Sequence, residues 1–359
     1  MVAPESSTPN PFLLLLGQLK PLLDARLEAV LAAECATRGP LGPEVDAMLR
    51  AASALSRGGK RLRAGLLAAG YLGFQAETQG FVSASDLPFA VLEGGVALEL
   101  LQSYFLIHDD WMDQDATRRG CPTVHTTLSE RFGASHLGAC GAILAGDYVV
   151  TLAHQTFHNV ALGASCAREL LNEFSAMQLA AVVGQQLDVV ALTKDALKIY
   201  ELKTGSYTVN GPLSVGALLG GANKEVLNAI NGFAKPTGIA FQLRDDLLNL
   251  FAATELTGKP LAGDILAGKW TWTAQWVLSN AETQHKLQFQ AAFGRADASV
   301  DVLASAIRAV EASGARAATE AHIAQLYATA REQLNRLPLN ARGRALWAGA
   351  LDALVHRAA

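Results

Sequence analysis

The chain has 359 residues, of which half are apolar and 17% are charged, and its formal net charge is −4. This balance gives no global electrostatic reason to bind nucleic acid, so a polyanionic ligand must be held locally or through metal. The four cysteines are scattered without a CxxC pair, which favours free thiols in a reducing compartment.

Residues 1–10 are rich in Pro and Ser and are predicted to form a disordered lead-in, followed by a single domain over residues 11–359. The opening MVAPESSTPN carries an acidic residue and no basic region, so it does not resemble a signal peptide. The apolar run at residues 89–108 contains two glutamates, which favours a buried helix over a membrane span. We therefore expect a cytoplasmic protein without a membrane span.

Apolar residues recur at helical spacing along most of the chain, for example in residues 23–31, 92–101 and 170–179. No sustained alternating run flanked by hairpin turn signals is present. The Gly- and Pro-containing breaks, such as residues 118–123 and 257–264, are too short to be domain linkers. The pattern predicts an all-α bundle of about ten or more helices in one domain.

The segment HDDWMDQDATRRG, residues 108–120, concentrates acidic residues in an otherwise apolar chain. On a helix, Asp109 and Asp113 project from one face with Asp110 beside them, and like charges at that spacing repel. Mg²⁺ prefers carboxylate oxygens and usually completes its shell with water and substrate phosphate. Taken alone, the segment is also compatible with a solvated acidic face.

A second acid pair, Asp245 and Asp246, lies in FQLRDDLLNLF, where Asn249 stands at the position of a third acid. Because buried unpaired charges are costly, this apolar helix predicts counter-ions. Two acidic helix faces across a bundle cavity would form a metal-bridged diphosphate site. Asn249 can offer a carbonyl oxygen but lowers the charge of the site by one.

Several basic residues accompany the acids and are candidate phosphate partners, since arginine suits bidentate contact and lysine supplies a point charge. They are Lys60, Arg61 and Arg63 in GGKRLR, Arg118 and Arg119 after the first acids, Lys203 in KTG, and Lys259 and Lys269. Each one alone is compatible with a surface cation. No GxxxxGK[ST] motif and no GxGxxG motif after a strand offers another phosphate site.

Seven blocks in order make the chain similar to trans-isoprenyl diphosphate synthases, the family that makes farnesyl and geranylgeranyl diphosphates. The resemblance covers residues 55–275 and rests on GGKRLR, LLQSYFLIHDDWMDQDATRRGCPTVH, AGDYV, GQQLDV, KTGS, FQLRDDLLN and GKPLAGDILAGKWTW. It implies an all-α barrel of long antiparallel helices around a deep central cavity, usually as a homodimer.

The resemblance also implies roles for individual residues. Three Mg²⁺ ions, with substrate bound, would be held by Asp109, Asp110, Asp113, Asp245, Asp246 and Asn249. The allylic diphosphate would contact Arg118, Lys203, Thr204, Gln242, Lys259 and Lys269. Isopentenyl diphosphate would contact Gly59, Lys60, Arg63, Gln102 and Arg119. The residues expected to carry the chemistry are Asp109, Asp110, Asp113, Lys203 and Asp245.

The chemistry implied is ionisation of the allylic diphosphate, followed by attack of the isopentenyl double bond on the allylic cation. Released diphosphate would then take the final proton, which removes the need for a side-chain base. Stabilisation of the leaving group by metal and cations follows the usual logic of such reactions.

Tyr104 and Phe105 lie five and four positions before Asp109, which is about 6 to 7.5 Å along a helix axis. Rings there would close the cavity beneath a growing chain, although aromatic core packing is the alternative. An aromatic pair at these positions resembles farnesyl diphosphate synthases, whereas FQLRDDLLN followed by TGKP resembles bacterial geranylgeranyl diphosphate synthases. We expect farnesyl diphosphate as product, with geranylgeranyl diphosphate as the alternative.

The sequence is also compatible with three other classes of protein. A class I terpene cyclase shares the first acid motif but would not need GGKRLR for a second diphosphate. A non-catalytic partner subunit of a heteromeric prenyl synthase would keep the fold, although such subunits tend to lose the acids that this chain retains. A structural helical protein would leave the ordered motifs unexplained.

Overall fold

The structure, a computed structural model, describes residues 9–76, 83–251 and 262–356. These residues are almost entirely helical, as predicted, and the long helices pack around one large apolar core. The helices are α1 Pro11–Arg38, α2 Pro43–Ser56, α3 Leu62–Phe74, α4 Phe89–Met112, α5 Val124–Phe132, α6 Ser135–Leu162, α7 Ala167–Val190, α8 Ala196–Ile199, α9 Gly211–Leu219, α10 Lys224–Phe251, α11 Gly263–Leu266, α12 Trp272–Asn280, α13 Thr283–Gln290, α14 Val300–Ala312, α15 Ala315–Arg336 and α16 Ala341–Val355. Short 3₁₀ turns lie at Gly39–Leu41 and Ala84–Asp86.

The helix α4 is central to the molecule, and most of its length is buried. It packs mainly against α6, while α3 packs against α9 and α10 packs against α15. Because most of α4 is buried and packed against α6, the acids at its end have a rigid support. A smaller apolar cluster lies between the end of α10 and helices α11–α15.

A π-helix spans Tyr200–Asn210, between α8 and α9. It packs against both α7 and α10. π-Helical turns are rare and occur frequently at functional sites. Here the wider turn lies in the segment that contains Lys203 and Thr204, so it sets where these side chains project.

A two-residue hairpin, β1 Thr117–Arg118 and β2 Cys121–Pro122, follows α4 in the segment where the sequence indicated only a break. Its turn consists of Arg119 and Gly120, which have φ values of 53° and 76°. Positive φ at both central residues is typical of a type I′ turn, which suits tight antiparallel hairpins. The hairpin turns the two arginines toward different parts of the molecule.

The helix α16 anchors the end of the chain to the helices that carry the site. The fully buried Trp347 donates from Nε1 to the carbonyl of Ala69 at 3.0 Å. Arg244, next to the second acid pair, donates from Nε to the carbonyl of Val355 at 2.9 Å. The last part of the chain, in which the sequence shows no chemistry, therefore supports α3 and α10.

Of the predicted lead-in, residues 1–10, only Pro9 and Asn10 are described. Asn10 caps α1 and donates to the carbonyl of Gly349 at 2.9 Å. The domain boundary at residue 11 stays a prediction.

Two helices among the described residues, α4 and α6, could cross a membrane if length and composition alone are considered. The most apolar window of α4 is 67% buried within the protein, whereas that of α6 is only 39% buried. A core helix passes the same test, and the burial of α4 fits that explanation. The exposed face of α6 carries the apolar side chains Leu137, Ile143, Leu144 and Leu162 among polar ones.

Candidate active site

The first acid motif lies at the C-terminal end of α4, where three cations from other elements reach it. Lys203 Nζ lies 3.2 Å from Asp109 Oδ1, and an Arg118 nitrogen lies 3.9 Å from Asp109 Oδ2. Lys269 forms an ion pair with Asp113 at 2.5 Å. The structure therefore brings together predicted site residues from α4, the hairpin, the π-helix and the segment after α11.

The pKa values in this cluster follow from burial and charge. Burial alone would raise the pKa of Asp109, but Lys203, Lys269 and Arg118 outweigh it and hold that pKa well below its usual range. Burial, followed by the charge of Asp109, raises the pKa of Asp113 against the pull of Lys269. The two lysines are held firmly in their charged forms by the acids, despite their own burial.

Two residues of GQQLDV complete this cluster, although they were not among the predicted site residues. Gln185 donates to Asp109 at 2.9 Å, and Asp188 pairs with Lys203 at 2.6 Å. They lie three apart on α7, and this spacing places both on the face toward α4 and the π-helix. That spacing in the sequence could have identified them.

The second acid motif is held by a chain of hydrogen bonds. Gln242 donates to Asp246 at 2.9 Å and accepts from the Thr204 hydroxyl at 2.8 Å. The buried Tyr200 hydroxyl donates to the other oxygen of Asp246 and accepts from the Trp272 amide at 2.8 Å. Both carboxylate oxygens of Asp246 are thus engaged by the protein, so Asp246 orients this part of α10.

Charge links the two acid motifs. Burial, followed by the charge of Asp264, raises the pKa of Asp246 to about 7. Asp264 also acts, with Asp113 and Asp109, to raise the pKa of Lys269 against burial. Asp264, at the start of α11, lines a small pocket together with Asp246 and Lys269, and it too was absent from the predicted site residues. The predicted partner Lys259 lies outside the described residues.

The donor set fits a hard divalent cation, because the candidate ligands are carboxylate and amide oxygens. Asp110 Oδ2 and Asn249 Oδ1 are buried without a hydrogen-bond partner among the described residues. Within the same ranges, no three His, Cys, Asp or Glu side chains lie close enough to hold a metal by themselves. Mg²⁺ usually completes its shell with water and substrate oxygens, and this donor set leaves room for them.

The third group of predicted residues, those expected to contact isopentenyl diphosphate, surrounds the loop before α3. Arg119 donates to the carbonyl of Arg57 at 3.2 Å, and a Cβ at Gly59 would lie 3.3 Å from its guanidinium. Gly59 has a φ of 89°, a left-handed conformation that favours glycine. Lys60 is exposed in the same loop.

Arg63 and Gln102 converge on Tyr207, which was not predicted as a site residue. The Arg63 guanidinium lies 4.3 Å from the centroid of the Tyr207 ring, a cation–π contact. The Tyr207 hydroxyl donates to Gln102 at 2.9 Å, and Arg63 donates to Thr208 at 2.7 Å. Because Tyr207 lies four positions after Lys203, the π-helix connects this group to the first acid motif.

A cavity of about 170 Å³ lies beside Asp109. The ring centroids of Tyr104 and Phe105 lie 4.9 Å apart, and those of Phe105 and Tyr207 lie 4.7 Å apart. The cavity lining includes Tyr104, Phe105, Met112, Ala181, Val182 and Lys203. The predicted pair thus lines a pocket that opens next to the charged cluster.

The chain that carries this arrangement is similar in sequence and fold to known proteins. Residues 46–310 match the family model described as polyprenyl synthetase. The chain is 34% identical to the geranylgeranyl diphosphate synthase of Methanosarcina mazei, over 72% of this chain and 73% of that protein. It is 32% identical to the (2E,6E)-farnesyl diphosphate synthase of Mycobacterium tuberculosis, over 64% of this chain and 63% of that relative, slightly under two thirds of its length.

The fold comparison agrees with the sequence comparison. The crystal structure of a Corynebacterium glutamicum geranylgeranyl pyrophosphate synthase, complexed with isoprenyl diphosphate and magnesium, superposes with a TM-score of 0.87 at 28% identity. The alignment covers 95% of this chain and 99% of that one. The chain belongs to the polyprenyl synthetase family. Within it, the chain is a short-chain prenyltransferase.

Gly184 provides a test of how Lys203 is positioned. A Cβ at Gly184 would lie 2.3 Å from the backbone nitrogen of Lys203, and backbone cannot move aside as a side chain can. We expect Gly184→Ala to lower the free energy of unfolding by about 1–3 kcal/mol, as measured by urea denaturation.

The matched control is Gly17→Ala on the exposed face of α1, where no described atom lies within 4 Å of the new Cβ. It should raise the free energy of unfolding by about 0.5–1 kcal/mol. Equal stabilities for the two variants would contradict the close approach of α7 and the π-helix.

Proposed function

We propose that the protein condenses isopentenyl diphosphate with allylic diphosphates, and that farnesyl diphosphate is its main product. The observation that carries the proposal is the cluster in which Asp109 and Asp113 meet Lys203, Lys269 and Arg118. Such a cluster can exchange its internal ion pairs for a bound diphosphate and its metal without leaving a buried charge unpaired. The Corynebacterium relative, which was crystallised with isoprenyl diphosphate and magnesium, supports the assignment.

In this proposal Asp109, Asp113 and Asp245 hold Mg²⁺, with three ions per site once substrate is bound. Magnesium, when bound, would neutralise the charge that develops on the departing diphosphate. Asp110 accepts from Arg118 through Oδ1, which fixes the direction of that arginine, and its unpartnered Oδ2 can join the metal ligands. Asn249 contributes its unpartnered amide oxygen.

The chain's own cations would stabilise the leaving diphosphate. Lys203, Lys269 and Arg118 are all charged and already point at the acid cluster, so little reorganisation is needed as charge develops. Gln185 and Asp188 keep Asp109 and Lys203 in place. Isopentenyl diphosphate would be held by Gly59, Lys60, Arg63, Gln102 and Arg119.

The deciding experiment incubates the protein with Mg²⁺, labelled isopentenyl diphosphate and dimethylallyl diphosphate, and separates the dephosphorylated alcohols by chain length. We expect condensation, and we expect Asp109→Asn to lower kcat by about 10²-fold or more, because one preorganised charge at the leaving group is lost.

The matched control is Asp301→Asn, an exposed acid at the start of α14, which should leave kcat unchanged. Absence of condensation with every allylic primer would overturn the proposal and favour the partner-subunit class.

Product length is proposed from the aromatic pair. Tyr104 and Phe105 line the pocket beside Asp109, and the Phe105 ring packs against the Tyr207 ring. Rings in these positions would stop an elongating chain. A geranylgeranyl product is the second candidate, because the Methanosarcina and Corynebacterium relatives carry that name.

We expect the double variant Tyr104→Ala/Phe105→Ala to release longer alcohols than the parent, because removing both rings deepens the pocket. Phe132→Ala, at the end of α5, controls for loss of an aromatic elsewhere. If the double variant makes products of parental length, these rings do not set the chain length.

The protein is further proposed to be a homodimer in the cytoplasm. Apolar side chains on α6 and α7 are exposed, including Leu137, Leu144, Leu179 and Val183 at 49–67% exposure. A second copy of the chain would cover this face, because such a patch is unfavourable in water.

Light scattering should give twice the chain mass of 37.8 kDa, and the Leu144→Glu/Leu179→Glu variant should shift the measured mass toward that of one chain. A monomeric parent would contradict the dimer.

A further inference from the structure

Arg61 lies in GGKRLR between Lys60 and Arg63, yet its side chain is only 5% exposed. It donates from Nε to Asp24 at 2.7 Å, from Nη1 to Glu99 at 3.0 Å and from Nη2 to the carbonyl of Ser56 at 2.9 Å. These three partners lie on α1, α4 and α2. The guanidinium therefore joins three helices and does not point at the space where a diphosphate would bind.

The backbone of Arg61 is also unusual. Its φ is 54°, a left-handed conformation that is unfavourable for a residue with a side chain. Gly58 and Gly59 also have positive φ, at 75° and 89°. A non-glycine residue keeps such a conformation only where its surroundings fix it. The three hydrogen bonds of the guanidinium provide that constraint.

The buried Glu99 depends on the same contact. Its second oxygen, Oε1, has no hydrogen-bond partner among the described residues, so Arg61 is the ion-pair partner that the structure gives Glu99. Burial lowers the pKa of Arg61, but the charges of Glu99 and Asp24 outweigh this and raise it overall. The charge of Arg61 is thus balanced inside the protein.

Arg61 ends the loop before α3, and the residues predicted to contact isopentenyl diphosphate lie on both sides of it. Its carbonyl accepts from Gly65 at 3.0 Å and so begins α3, which bears Arg63. On its other side, Gly59 lies against the Arg119 guanidinium, which bonds the carbonyl of Arg57. A change in the backbone at Arg61 would therefore move residues on both sides of it.

We propose that Arg61, anchored by Asp24 and Glu99, is a positioning residue that shapes the loop for isopentenyl diphosphate without touching it. This inference rests on the proposed function, because it takes Lys60, Arg63 and Arg119 as the diphosphate contacts. The acids and cations proposed for the allylic diphosphate lie at the end of α4, in the hairpin, in the π-helix and after α11, outside this loop.

The test compares Arg61→Lys, which keeps the charge but loses the planar three-way contact, with Asp24→Asn, which removes one anchor at a side chain that is 35% exposed. Calorimetry would measure the Kd for isopentenyl diphosphate, and steady-state kinetics would give the KM for each substrate. We expect the Kd and KM for isopentenyl diphosphate to rise about tenfold or more, with the KM for the allylic substrate and kcat within twofold of the parent.

Two controls separate the possible failures. Arg336→Lys, an exposed arginine paired with Glu332 on α15, should change nothing. Arg63→Gln tests the subsite itself and should weaken isopentenyl diphosphate binding directly.

If Arg63→Gln weakens binding while Arg61→Lys and Asp24→Asn do not, the positioning role is wrong and the subsite stands. If none of the three weakens binding, the proposed subsite is wrong and the inference is overturned with it. If Arg61→Lys does not fold, Asp24→Asn decides alone. An equal loss for both substrates would show general loosening and overturn the inference.

Discussion

Carboxylates are concentrated inside a helical bundle at the ends of α4 and α10, and their charge must be balanced where water has little access. Three cations from three separate elements supply that balance at Asp109, Asp110 and Asp113. Removing one partner from a buried ion pair is strongly destabilising, because it leaves the other charge buried without compensation. The positions of the hairpin, the π-helix and the segment after α11 are therefore tied to the acids of α4.

This balance also suits a prenyltransferase. Each ion pair in the cluster is one that a diphosphate with its metal could replace, since the lysines can turn from carboxylate to phosphate and the carboxylates from lysine to metal. The apolar pocket begins directly beside this cluster. A substrate with a charged head and a hydrocarbon tail matches both parts, which is why the site and the family agree.

Local backbone features set the geometry that these charges need. The type I′ turn at Arg119 and Gly120 directs Arg118 toward Asp110 and Arg119 toward Gly59. The π-helix brings Lys203 and Tyr207 to neighbouring parts of the site. Left-handed Arg61 shapes the remaining loop. Each feature is short, and each is stabilised by side chains distant in sequence.

The sequence predicted the charged cluster well because its chemistry is written in residue type and helical spacing. Asp109 and Asp113 are four apart, and the cations nearest to them had been predicted as contacts of the diphosphate. The sequence predicted less well the residues that hold other site residues in place. Tyr200 reaches Asp246 across 46 positions, and no spacing rule connects residues so far apart. Arg61 was grouped with the phosphate-binding cations, because burial cannot be read from a basic run.

The sequence by itself determined the all-α fold, the two acid motifs and the family, because helical periodicity and ordered motifs are local properties of the chain. Only the tertiary structure decided which cations pair with which acids, that Asp246 is held by Tyr200 and Gln242, and that Arg61 faces inward. Those outcomes depend on how helices pack, and packing satisfies buried charges with whichever side chains it brings within reach.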